Sequence, residues 1–232
     1  MTFKKNQRKN APRSDLKNSK RSYLGIQNKG MTYVELIVVL TIFSVISGVT
    51  IFDYKKFEHR VEIKDLASHI ASKIVEAQKN AQAGRQTSNG VFTTLDSSKK
   101  PKPSYGIRFD ATDDITKKSF IYFADLDNEG DYDVNVSNAC SVLGDECLEK
   151  VEIYKGYRIE EIKFYDSSSP DGELCPGMID ITFKRADPNV RFESTSCGIS
   201  TASEVKITTS LSTSPEIRAI ISVHQSGRIQ IN

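Results

Sequence analysis

Five carboxylates fall within nine residues, at Asp125, Asp127, Glu129, Asp131 and Asp133, with Asn128 and Gly130 among them. Hard cations such as calcium want several oxygens on one tight turn, and this spacing begins like an EF-hand calcium loop. The position that would carry the closing bidentate carboxylate is Val136, which has no oxygen to offer. Two readings stay open, a calcium site on these acids and a solvated β-turn. No other cofactor is implied.

A further acid stands apart. Met31 to Phe52 is 22 residues, and Glu35 is the only charge among them. As a helix the segment is about 33 Å long, enough to cross a bilayer. A carboxylate at the centre of such a helix costs about 2.5–3.5 kcal/mol, and less near an end. An acid there is by default a functional-site hypothesis, against a plain signal anchor whose Glu35 snorkels to the headgroups. Met31 lies four residues before Glu35 on the same helical face. A cation paired with Glu35, within one chain or between neighbours, would offset the desolvation of both charges.

The four cysteines are Cys140, Cys147, Cys175 and Cys197. They form no Cys-x-x-Cys pair and have no histidine beside them, which favours disulfides over zinc. Three connectivities are open, and the sequence-local one, Cys140–Cys147 with Cys175–Cys197, is the expectation. Catalysis finds little support. The histidines are His59, His69 and His224, and there is no His-Glu-x-x-His, phosphate-cradling loop or Gly-x-Ser-x-Gly. The chain is therefore not expected to be an enzyme. Lys184, Arg185, Arg191, Arg218 and Arg228 are candidates for a DNA-binding patch, against a bland reading as interspersed surface charge.

The formal net charge of +2 hides an asymmetry. Residues 1–30 hold six Lys, three Arg and one Asp, a charge of +8, and the remainder carries −6. A basic, polar leader without apolar periodicity fits a cytoplasmic, unstructured N-terminus. The domain beyond the apolar segment would then face outward.

These residues must be positioned by a small set of elements. Residues 31–52 are the expected transmembrane helix. Residues 53–84 continue it as an amphipathic helix, with Tyr54, Phe57, Val61, Leu66, Ile70, Ile74, Ala77 and Ala81 as its apolar stripe. Gly84 is the expected stop. Residues 85–232 read as a β-rich head. Thr87 to Pro103 is expected to be a loop with one apolar insert. Strands are expected at Tyr105–Phe109, Ser119–Ala124, Lys150–Ile153, Tyr157–Tyr165, Met178–Lys184, Val190–Phe192, Glu204–Thr209, Arg218–His224 and Arg228–Ile231. The expected fold class is α+β, a long N-terminal helix packed on one antiparallel β-sheet.

Gly30-Met31-Thr32-Tyr33-Val34-Glu35-Leu36 resembles the cleavage and methylation motif of type IV prepilins and pseudopilins. The resemblance implies removal of residues 1–30 by a prepilin peptidase, cleavage between Gly30 and Met31, and N-methylation of Met31. It places the family's acid at Glu35. The chain departs from the usual pattern in having Met31 where Phe is common, a long leader, and no proline near Phe52. Ser104-Tyr105-Gly106-Ile107-Arg108-Phe109, Phe120 to Asp125, and Ile220 to Arg228 look like the heads of GspH/FimT-type minor pseudopilins. A pilin-like fold is implied. The implied partners are prepilin peptidase, other pilin or pseudopilin subunits, and an inner-membrane assembly platform. The implied location is the cytoplasmic membrane, crossed once with the head outside, and then a filament. Three function classes follow: an assembly subunit of a pilus or type II secretion-like filament, a DNA-binding minor pilin of a DNA-uptake apparatus, and a plain signal-anchored binding domain.

Overall fold

The computed structural model describes residues 30–85, 103–133, 140, 146–199 and 201–232. The leader up to residue 29, residues 87–102 of the expected loop, and Val136 lie outside these.

Helix α1 runs Tyr33–Ala83, 51 residues without a proline. Its end is set by Gly84, whose φ of 59° lies in the left-handed region that glycine adopts without strain. Gly84 N–H donates to Ala81 O at 3.0 Å and Arg85 N–H to Asn80 O at 3.1 Å, the paired bonds of a Schellman close. The chain divides into two compact units, Met1–Gly48 and Val49–Asn232.

In the first unit every side chain from Met31 to Ile46 is exposed, although the segment is almost entirely apolar. Leu36 is 44% exposed and Phe43 68%. The helix is long and apolar enough to cross a membrane. The Thr41 hydroxyl donates to Val38 O at 2.8 Å, so its polar atom is satisfied inside the helix, as a lipid environment requires.

Among its described residues, the second unit holds ten strands in two antiparallel sheets. They are β1 (Ser104–Asp110), β2 (Ser119–Asp125), β3 (Cys147–Glu152), β4 (Tyr157–Tyr165), β5 (Glu173–Cys175), β6 (Met178–Phe183), β7 (Val190–Glu193), β8 (Glu204–Leu211), β9 (Ser214–His224) and β10 (Ile229–Ile231). One sheet has the order β3-β2-β1-β6-β7 and the other β10-β9-β8-β4-β5. The expectation of a single sheet is corrected here. Alternation marks a strand and its buried face but says nothing about which strands share a sheet. Two further corrections concern strand bounds. Strand β5 was not anticipated, because three residues are too few to show a period. Strand β9 begins four residues before the expected start, with Pro215 absorbed in an irregular stretch between the Leu211–Ser214 and Ser210–Arg218 pairs.

The core lies between the sheets and the helix. Ile63, Ala67, Ile70, Ile74, Ala77 and Ala81 are buried at three- and four-residue steps and pack with Ile107, Phe109, Phe120, Ile181, Ile207 and Ile221. This corrects the expected stripe at its N-terminal end. Tyr54, Phe57 and Val61 are 66%, 64% and 49% exposed. At 100° per residue they face away from Ile63 and Ile70, so the five-residue step from Val61 to Leu66 conceals a change of face. Polar contacts fasten the helix at intervals. Glu62 accepts from Lys155 Nζ and from Tyr157 OH, Lys73 Nζ donates to Glu149, and Asn80 donates to Tyr122 OH.

On the opposite face of the first sheet, Phe123 and Tyr132 pack with the Cys140–Cys147 disulfide. The other bridge is Cys175–Cys197, which ties β5 to the segment after β7. Both expected pairings are present. Gly106 makes the Phe123 packing possible, since a Cβ there would sit 2.5 Å from the Phe123 ring.

Candidate functional site

Two places in the chain gather the residues singled out by the sequence. The first is the start of α1. Gly30, Met31 and Thr32 are non-helical and the helix begins at Tyr33. Thr32 is its N-cap: Oγ1 accepts from Glu35 N–H at 3.3 Å, and the Thr32 carbonyl accepts from Leu36 N–H at 3.1 Å. Glu35 occupies the third helical position, where a carboxylate meets the unpaired N–H groups and the positive end of the helix dipole. Thr32-x-x-Glu35 is thus a capping-box signature, a local reason for the acid that a reading against the bilayer alone misses. Gly30 needs no glycine for the chain's own sake. It is outside the positive-φ set, and a Cβ there would meet nothing within 4 Å among the described residues.

The second place is the loop after β2. Of the five acids in the run, Asp133 lies beside Asp127, and the tightest group is Asp125 and Asp127 with Glu146, which the sequence reading did not include. Ligand-type oxygens of these three lie within 4.8 Å of one another. Asp125 is fully buried and accepts from Asn128 N–H at 2.6 Å and Gly130 N–H at 3.0 Å. Glu146 is also buried and accepts from Leu126 N–H at 2.7 Å and Asp133 N–H at 2.9 Å. The two carboxylates therefore fold the loop by taking its backbone donors. Local spacing could not have found Glu146, because it arrives from beyond residue 140.

Glu129 and Asp131 point elsewhere. They line a cleft of about 210 Å³ with Arg108, Asp180, Arg191 and Glu193. At its floor, Arg108 and Asp180 form a buried bidentate ion pair. Arg108 Nε donates to Asp180 Oδ1 at 2.7 Å, and Nη2 donates to Oδ2. Tyr132 N–H also donates to Asp180, and the Tyr132 ring lies 4.9 Å from the guanidinium.

Burial pushes Asp125 up to about 7, with Asp127 beside it adding repulsion against the opposing N–H bonds. Burial likewise pushes Glu146 up to about 7. Both values lie above the ordinary carboxylate range near 4. Between about pH 4 and pH 7 the folded head therefore keeps protons that the unfolded chain has released. The contribution of these groups is fully present below about pH 4 and is lost as pH rises through about 7. The thermal midpoint should fall between pH 5 and pH 8, and Asp125→Asn with Glu146→Gln should flatten that slope. Equal slopes in wild type and the double variant would contradict this assignment.

The basic candidates are spread over several elements. Lys184 and Arg185 sit in the β6–β7 turn, which the Val190 N–H to Gln225 O bond of 2.7 Å holds beside the β9–β10 hairpin and Arg228. Arg191 pairs with Glu193 at 3.0 Å, Arg228 contacts His224 at 3.0 Å, and Arg218 lies opposite Ser210, six residues along β9 from His224. The histidines are equally scattered: His59 Nδ1 is 3.2 Å from Tyr157 OH, and His69 is exposed on α1.

No protein-family model, curated protein or solved structure matches the chain. What bears on function is the chain's own geometry: an apolar helix uncovered from Tyr33 to Ile46 with a capped start, and a head built on two disulfide-braced sheets.

Proposed function

We propose that the chain is a membrane-anchored assembly subunit, a minor pilin or pseudopilin of a type IV pilus or type II secretion-like filament. Prepilin peptidase would cut between Gly30 and Met31 and methylate the Met31 amine. The helix would hold the precursor in the bilayer with its basic leader inside and its head outside, then pack among other subunits. The observation that carries this reading is the uncovered apolar helix from Tyr33 to Ile46, whose sole charge, Glu35, lies in its first turn. Gly30 adds support, since nothing among the described residues explains a glycine there and a partner that reads this position would.

In this reading Glu35 lowers the cost of inserting the subunit by neutralising an adjacent N-terminal ammonium. Glu35→Gln leaves that ammonium unpaired at a cost of about 2 kcal/mol or more, which reduces incorporation at least ~tenfold. The head should unfold at an unchanged temperature, because it lies in the other compact unit. Filament yield and composition, measured with the variant in place of wild type, test this. Normal incorporation would count against the neutralisation role.

A further inference from the structure

We infer that Thr32 is the positioning residue for the cut: its side-chain cap keeps the Gly30–Met31 bond out of the helix and open to hydrolysis. This rests on the processing reading above and names what prepares the same bond. Hydrolysis of that amide takes up one water and leaves the Gly30 carboxylate on the leader and the Met31 ammonium on the mature chain.

The competition is specific. In a helix extended one turn backwards, the Gly30 carbonyl would accept from Val34 N–H and the Met31 carbonyl from Glu35 N–H. Glu35 N–H instead donates to Thr32 Oγ1 at 3.3 Å. The hydroxyl thus takes the donor that Met31 would need to become helical, and Met31 must be helical before Gly30 can be. A carbonyl inside a helix is already hydrogen-bonded and lies against the following turn, whereas a protease needs its substrate extended. The pull to extend the helix is strong here, because orphan N–H groups near an apolar phase find no water. Without the cap, Glu35 N–H is satisfied most readily by Met31, and the scissile bond moves towards the helix. Gly30 opposes this as a poor helix former, and Thr32 acts one step earlier.

The experiment measures initial cleavage rates of the full chain in membranes carrying prepilin peptidase. Thr32→Ser and Thr32→Asn keep a capping oxygen, whereas Thr32→Val keeps the shape and Thr32→Ala keeps neither. Ser and Asn should process near the wild-type rate, and Val and Ala about three- to thirty-fold more slowly, the range expected for loss of an N-cap. Valine cleaved as fast as threonine would overturn the inference, and so would asparagine cleaved as slowly as valine, which would mean that side-chain shape is read directly. A wild-type chain that stays uncut would overturn the processing reading itself and the Thr32 role with it.

Discussion

Arg108→Ala is expected to lower the thermal midpoint of the head by about 10 °C. Arg108 and Asp180 face one another from neighbouring strands β1 and β6, directly opposite in register. Their side chains are 10% and 4% exposed, so neither charge has much water. Truncating the arginine leaves a buried carboxylate with, among the described residues, the Tyr132 N–H at 3.3 Å to hold it. Removing one partner of a buried pair costs about 3–5 kcal/mol, and a domain of this size loses roughly 2–4 °C per kcal/mol. The arginine also supplies the surface on which Tyr132 rests, so the loop that carries the acidic run should loosen with it. Replacing both partners by apolar residues, Arg108→Met with Asp180→Leu, should recover most of the loss, because the cost lies in the orphaned charge. A single variant as stable as wild type, measured by thermal unfolding, would show that the pair is not buried as described.

Gly30→Phe is expected to leave the chain uncut, with the full-length precursor accumulating in the membrane. Among the described residues the position meets no conformational or steric demand, so a large side chain there should leave helix and head unchanged. Its effect would fall on whatever must approach the bond. Displacing a scissile bond by about 1 Å can cost a hundredfold in rate, and a phenyl group beside it displaces it by more. Gly30→Ala adds only a methyl group and should be processed. Normal processing of the phenylalanine variant would remove the glycine from the recognition motif and weaken the proposed function. A full-length chain and one cut after Gly30 would differ by 30 residues and separate readily on a gel.

Much of the fold was legible because the long helix writes its period plainly. Its continuity follows from the absence of proline, and its end at Gly84 follows from one residue type. The face it buries was legible only from Leu66 onward. Tyr54, Phe57 and Val61 keep helical spacing and yet sit opposite the core, since period alone does not fix which side meets the sheets. The bulge between Ile159 and Glu161 likewise turns both Ile159 and Ile162 inward, so Glu160-Glu161 interrupts the alternation without ending the strand. Division into two sheets depends on pairings far apart in sequence, such as β1 with β6, and no local pattern encodes them.

The candidate site divides the same way. Thr32 and Glu35 are three residues apart, and their relation can be read from the sequence as a cap. Asp125 and Glu146 are brought together only by folding, and the regular spacing of the acids that were legible misdirected the reading. Glu129 and Asp131 line a different cleft, because Gly130, with φ of 101° and Arg191 packed against it, turns the chain between them.

The N-terminal mass of the protein purified from its native membrane tests the central claim most directly. A mature chain that lacks residues 1–30 and begins with N-methyl-Met31 is the expected result. A chain that retains its basic leader, or one whose terminus lies beyond Val49, would contradict it.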